Sequence, residues 1–318
     1  MPDVADLVER ARSGDARAVG RLISFVENAS PLLRDVAVAL MPYVGHARVI
    51  GLTGSPGVGK STSTSALVRE YRAQDLRVGV LAVDPSSPFS GGALLGDRVR
   101  MQDHATDSGV FIRSMASRGH LGGLAWATPQ ALRVLDAAGC DVILVETVGV
   151  GQAEVEIASL ADTTLVLLAP GMGDGIQAAK AGILEVADVF VVNKADRDGA
   201  EQTTRDLRHM LSLVDSRDSS DWQPPIVKTV ASKGEGIDDV LAAIDRHREW
   251  LLESGRLDAR RRARAADEIE AIAVAALRER LGDLRGGQQL DQLAGRLVAG
   301  EVDPYSAADD LIASLRQD

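Results

Sequence analysis

The chain has 318 residues, 45% hydrophobic and 25% charged, with a formal net charge of -11. This composition excludes a disordered chain, and the length predicts one core of about 200 residues with smaller additions. The acidic balance disfavours nonspecific attraction to nucleic-acid phosphates or to an anionic membrane, so neither is expected as a partner. Cys140 is the single cysteine, which rules out an intrachain disulfide or a thiolate metal cluster within one chain and fits a reducing compartment. Met1 to Arg12 carries Asp3, Asp6 and Glu9 among its apolar positions, unlike a secretory signal, so the expected location is the cytoplasm.

Along the chain, helical spacing comes first: Val4, Leu7, Val8 and Ala11, then Val19, Leu22, Ile23 and Val26, then Leu32, Leu33, Val36 and Leu40. Gly14-Asp15 provides a break and an N-cap, and Ser30-Pro31 offers a Ser-then-Pro start for the third run. Residues 1–45 are expected to form an N-terminal helical cap. Between residues 46 and 253, β-rich runs alternate with helical patterns: Arg48 to Thr53, Arg77 to Val83, Val110 to Arg113, Asp141 to Val145, Thr163 to Ala169, Val189 to Val192 and Ile226 to Val230. The alternation predicts an α/β fold, a mostly parallel twisted sheet with helices on both faces. Runs such as Val142 to Val145 are far too short to cross a bilayer and read as buried strands. Residues 254–318 are expected to form a helical extension, from the spacing of Ile269, Ile272, Ala273, Ala276, Leu277 and Leu281 and from Leu290, Leu293, Leu297, Leu311, Ile312 and Leu315. The basic cluster Arg260, Arg261, Arg262 and Arg264 is followed at once by Asp267, Glu268 and Glu270, and reads as a solvated helix face.

Gly54-Ser55-Pro56-Gly57-Val58-Gly59-Lys60-Ser61 matches the G-x-x-x-x-G-K-S/T pattern between a strand and a helix, which makes the expected fold a P-loop NTPase. The glycines let backbone amides approach phosphate oxygens at a helix N-terminus, Lys60 reaches the β and γ phosphates, and Ser61 is the expected Mg²⁺ ligand. Thr62 is positioned to assist at the α phosphate. Asn193-Lys194-Ala195-Asp196 follows an apolar strand and selects guanine: the Asp196 carboxylate accepts from N1-H and the N2 amine, donors that adenine lacks. Asn193 is expected to brace the loop and meet the base edge, and Lys194 to cover one face of the ring. Ala231-Ser232-Lys233 has the position of a loop that points a backbone amide at guanine O6. GTP or GDP with Mg²⁺ is the expected cofactor set.

Asp84 and Glu146 each end a strand and face the phosphates, where oxygen ligands serve a metal directly or through water. In Glu146-Thr147-Val148-Gly149, the Gly149 amide is available to the γ phosphate. Asp97 either completes the Mg²⁺ shell, orients the attacking water or is a surface loop carboxylate. The Gly171 to Lys180 segment either starts a helix or rearranges with nucleotide state through ion pairs of Asp174 and Lys180. The five histidines lack metal-ligand spacing, and Cys140 reads as a buried small residue. No arginine finger is evident in cis, so intrinsic turnover is expected to be slow.

These residues resemble the methylmalonyl-CoA mutase-associated GTPases, the MeaB/ArgK group. The likeness runs through Arg17 to Asn28, Asp84 to Pro88, Gly91 to Asp97, Arg113 to Leu124, Glu146 to Gln152 and Gly171 to Lys180. It implies a homodimer joined by helical extensions, here residues 254–318. It further implies binding to an adenosylcobalamin-dependent acyl-CoA mutase, with GTP hydrolysis gating cofactor loading and protecting or reactivating the mutase. By motif position, the resemblance makes Lys60 and Ser61 the phosphate and Mg²⁺ residues and Asp84, Asp97 and Glu146 the acidic metal shell. Asn193 and Asp196 become the base readers, and Asp174 and Lys180 fall in a third switch. The competing expectations are a metal-insertion GTPase, a kinase acting on a transport protein, and an ATPase with a chance Asn-Lys-x-Asp.

Overall fold

The seven apolar runs become seven parallel strands: β1 (Arg48–Thr53), β2 (Val78–Pro85), β3 (Val110–Ser117), β4 (Val142–Thr147), β5 (Thr163–Leu168), β6 (Val189–Asn193) and β7 (Ile226–Thr229). The computed structural model describes residues 3–85, 104, 106–117, 127–147, 153–171, 183–213, 221–281 and 288–314. Within these, the strands form one sheet in the order β3-β2-β4-β1-β5-β6-β7. The strands β4 and β5 are buried at every position and apolar at four of six each, as a sheet covered on both faces requires.

Alternate side chains of each strand feed opposite faces. On one face Leu81, Val83, Ile143 and Val145 join a core with the N-terminal helices α1 (Val4–Arg12), α2 (Ala16–Glu27) and α3 (Leu33–Leu40). The other face sets Ile50, Leu52, Val80, Leu144 and Leu165 against α4 (Lys60–Ala73) and, later in the chain, α9 (Ile237–Glu253). The connecting helices are α5 (Ala127–Ala137), α6 (Ala153–Leu160), α7 (Ile183–Val186) and α8 (Ala200–Leu213).

The predicted cap forms as three helices. Asp15 caps α2 by accepting from the Arg17 and Ala18 N–H groups. Ser30 acts two residues earlier than a true N-cap: α3 starts at Leu33, and the Ser30 hydroxyl instead accepts from the Leu32 N–H. Leu22, Ile23 and Val26 share one core with Leu135 and Ile143, so these helices are continuous with the sheet's hydrophobic interior.

By contacts the chain divides into Met1–Arg264 and Ala265–Asp318. Helix α10 (Arg256–Leu281) begins in the first unit and ends in the second, which also holds α11 (Gln288–Val298) and α12 (Pro304–Ser314). Among the described residues no helix is long and apolar enough to cross a membrane.

The start of α10 departs from the expected solvated face. Arg261 and Arg264 both bind the carboxylate of Asp162, and Arg260 binds Asp188 through two nitrogens at 3.0 and 3.1 Å. The two aspartates sit just ahead of β5 and β6, and each also accepts a strand N–H, from Val49 and Thr164 respectively. Beside Asp188, His247 Nε2 lies 3.2 Å from Oδ1 without hydrogen-bond alignment. Sequence neighbours such as Asp267 could not reveal these partners, because the acceptors lie about seventy to a hundred residues earlier in the chain.

Burial alone would raise both carboxyl groups. Arg261 and Arg264 outweigh it at Asp162, and His247 and Arg260 at Asp188, holding both below the ordinary aspartate value of 3.8. A depressed folded pKa contributes stability that is present above the ordinary value and lost as pH falls through the folded one. Asp162→Asn leaves two guanidinium groups without their carboxylate and is expected to cost about 3 kcal/mol in urea unfolding at neutral pH. The gap between variant and wild type should narrow below about pH 4; a gap that stays constant with pH rules out the ion-pair account.

Candidate functional site

The parallel register lines up the chemistry at the carboxyl edge of the sheet. Leu52 pairs with Glu146 and Thr53 with Val166, so the loop after β1 emerges beside the ends of β4 and β5. Val83 pairs with Thr147, which puts Asp84 of β2 next in line; only its backbone position is described. Such an edge is where doubly wound sheets hold ligands.

The Gly54 to Gly59 loop turns directly into α4, whose N-cap is Gly59 in the left-handed region at φ 98° with no side-chain cap. Gly59 brings no capping side chain to the first turn of α4, and a helix N-terminus of this kind favours an anion. Two glycines are obligatory for space as well as angle. A Cβ at Gly54 (φ 139°) would run into the Leu167 carbonyl oxygen, and one at Gly59 into Asn193 Nδ2. Lys60 Nζ donates to the Gly54 carbonyl at 2.7 Å and the Ser55 carbonyl at 3.2 Å, folded back over its own loop.

Ser61 Oγ donates to Glu146 Oε1 at 2.6 Å, and Thr64 Oγ1 lies 2.8 Å from Oε2 and 3.0 Å from the Lys60 carbonyl. Glu146 is only 3% exposed and Thr64 fully buried, so a desolvated carboxylate is held by hydroxyls from two consecutive turns of α4. Oxygen donors of this kind fit Mg²⁺ held jointly with phosphate oxygens.

The base-side residues are tied to the same loop. Asn193 Nδ2 donates to the Val58 carbonyl at 2.9 Å, while its Oδ1 accepts from the Thr229 hydroxyl and the Ala231 N–H, both at 3.1 Å. This buried amide thus braces the loops, one of the two tasks expected of it. Lys194 adopts φ 57°, unusual for a side chain with a Cβ, and its Nζ donates to the Gly57 carbonyl at 2.7 Å. Asp196 is half exposed and pairs with Lys233 at 3.2 Å; Ser232 and Lys233 lie in a 3-10 turn, Ala231–Lys233. Thr62 stands exposed on the first turn of α4. Asp97, Gly149, Asp174 and Lys180 lie outside the described residues.

The family profile for "Methylmalonyl Co-A mutase-associated GTPase MeaB" matches residues 19–284. The chain belongs to the MeaB family. It is a GTPase of the P-loop fold. A Pyrococcus abyssi relative is 48% identical over 313 residues, 98% of this chain and 97% of its own. GTPase ArgK of Escherichia coli is 36% identical over 296 residues, 91% of this chain and 88% of that one. The mouse protein named methylmalonic aciduria type A homolog, mitochondrial, is 34% identical over 273 residues, 84% of this chain and 65% of its own. A crystal structure of a LAO/AO transport system kinase superposes with a TM-score of 0.74 at 28% identity, over 98% of this chain and 97% of that one.

Within this MeaB-family site, Thr64 is the residue that motif reading passed over. The signal was present: Thr64 stands three residues after Ser61, on the same face of α4, and so reaches the same carboxylate. Thr64→Val preserves shape and removes one hydroxyl from a buried anion, an interaction worth about 1.5–3 kcal/mol. Hydrolysis of GTP should fall at least about tenfold, with Thr64→Ser restoring it. Equal turnover in the valine variant would show that Glu146 is held without this hydroxyl.

Proposed function

We propose that this GTPase couples Mg²⁺-dependent hydrolysis of GTP to the care of an adenosylcobalamin-dependent acyl-CoA mutase in the cytoplasm, with methylmalonyl-CoA mutase as the client. In this reading it gates loading of the mutase cofactor and protects or reactivates the enzyme. The observation that carries the nucleotide half is the Asn193 amide, which joins the phosphate loop at Val58 to the base loops at Thr229 and Ala231. The client rests on family membership and on the likeness to the methylmalonic aciduria type A homolog.

The residues divide the work by chemistry. Backbone N–H groups from Gly54 to Thr62 surround the phosphates, and Lys60 leaves the Gly54 and Ser55 carbonyls to meet the β and γ oxygens. Ser61, Glu146, Asp84 and Asp97 would hold Mg²⁺, which when bound neutralises charge on the phosphate oxygens. The Gly149 amide meets the γ phosphate, and Asp174 and Lys180 exchange ion pairs with nucleotide state. Lys194 covers the ring of the base. Asp196 accepts from guanine N1-H and N2, its exposed pair with Lys233 being weak enough to rearrange. The Ala231 and Lys233 amides already donate within the protein, so Ser232 supplies the N–H for O6.

The domain reading follows the same lines: cap 1–45, GTPase domain 46–253 and dimerising extension 254–318. Support for the dimer comes from α10, where Ile269, Ile272 and Leu277 are 68%, 45% and 56% exposed at helical spacing, a stripe suited to a second copy.

Asp196→Asn removes the acceptor that reads the guanine donors. GTP affinity should fall at least about a hundredfold, roughly 2.7 kcal/mol, while xanthosine triphosphate gains. Unchanged preference in a competition titration would remove Asp196 from the base site.

The client is tested with purified methylmalonyl-CoA mutase. Co-elution in the presence of a non-hydrolysable GTP analogue, together with faster phosphate release, supports the chaperone reading. Independent elution and unchanged turnover overturn it and leave the GTPase intact. The kinase reading, suggested by the LAO/AO transport system kinase likeness, would instead require phosphate on a protein acceptor.

A further inference from the structure

The amino ends of the strands carry a second concavity, at the opposite edge of the sheet from the phosphate loop. It is a cleft of about 530 Å³ between the N-terminal helices, the end of α5 and the side of α9. Arg12, Arg48 and Arg248 line it with His46, while Tyr43, Leu76 and Cys140 supply apolar wall.

Its cations are not equally satisfied. Arg12 pairs with Glu9 at 3.0 Å and lies 3.8 Å over the Tyr43 ring, building a stacked wall. Arg48 pairs with Asp245 at 3.0 Å, but both side chains are more than a third exposed, so that pair is weakly held. Arg248 is half-buried and makes no salt bridge among the described residues. Burial, and then the charges of Arg48 and Arg261, depress its guanidinium below the ordinary value despite Asp162 and Asp245.

The cleft's two carboxylates are already engaged with backbone. Asp136 accepts N–H groups from Gly45, His46 and Ala47, and Asp141 accepts the Arg77 N–H at 2.8 Å. Neither turns toward Arg248 as a partner. The guanidinium is thus a half-desolvated donor fork, next to a like charge, facing a cavity of small-molecule size. The thiol is an unreactive part of the wall: burial pushes Cys140 up to about 12.

We infer that this cleft binds a small organic phosphate carrying a ring, with the phosphate between Arg48 and Arg248 and the ring along the Tyr43 and Leu76 wall. A planar guanidinium pair matches phosphate oxygens through two-pronged hydrogen bonds, and an aromatic wall beside it suits a ring. The site is separate from the GTP site, because the nucleotide edge lies at the carboxyl ends of β1, β4 and β6.

The test uses the full chain saturated with GDP and Mg²⁺, so that the phosphate loop is filled, and adenosine 5′-monophosphate as probe in calorimetry. Saturable binding at up to millimolar probe, weakened at least about tenfold in Arg248→Ala, supports the site. Tyr43→Ala should weaken the nucleoside monophosphate and leave binding of inorganic phosphate unchanged. GTP hydrolysis in both variants should match wild type, which reports that they fold. No saturable binding to wild type, equal affinity in Arg248→Ala, or loss of the signal as GDP is raised each overturns the proposal.

Discussion

One carboxamide fixes the geometry on which the nucleotide edge depends. Asn193 stands at the end of β6, is 3% exposed, and spends its oxygen and one amide hydrogen on the phosphate loop and on the end of β7 with the turn that follows it. A phosphate loop and a base loop more than 130 residues apart in sequence must be held at a fixed separation to read one nucleotide. Buried amide bonds do this because any displacement would leave a polar group unsatisfied in a water-excluded site. The steric limit at Gly59 belongs to the same constraint, since the space a Cβ would take is already filled by Asn193 Nδ2. Lys194, at positive φ, adds a second link to the phosphate loop through its bond to the Gly57 carbonyl.

The two ends of the sheet solve opposite electrostatic problems. At the carboxyl edge, the buried Glu146 accepts from the Ser61 and Thr64 hydroxyls, and this group of oxygens suits a cation. At the amino edge, Asp162 and Asp188 are held by guanidinium groups, which cancel charge and tie the start of α10, up to Arg264, to the starts of β5 and β6. Arg248 fits neither pattern, being partly desolvated with no salt bridge among the described residues.

The phosphate loop, the seven strands and the helical cap were all legible because each is a local matter. Spacing of apolar residues selects helix or strand, and a glycine-rich loop between the two announces itself over eight positions. One local reading slipped for a local reason: Ser30 caps a turn ahead of α3. Asp162 and Asp188 escaped notice altogether, since a lone aspartate before a strand reads as a loop residue until its arginines are known.

The amino-acid sequence by itself determined the class of the fold, the nucleotide it takes and the family it belongs to, because these rest on contiguous residues whose chemistry is explicit. Tertiary structure alone decided the strand order, the pairing of α10 arginines with buried aspartates, the hydroxyl cradle around Glu146 and the cleft at Arg248. Each of these joins groups separated along the chain by tens to hundreds of residues. Their meeting is set by how helices and strands pack, and burial then makes each partner choice energetically decisive.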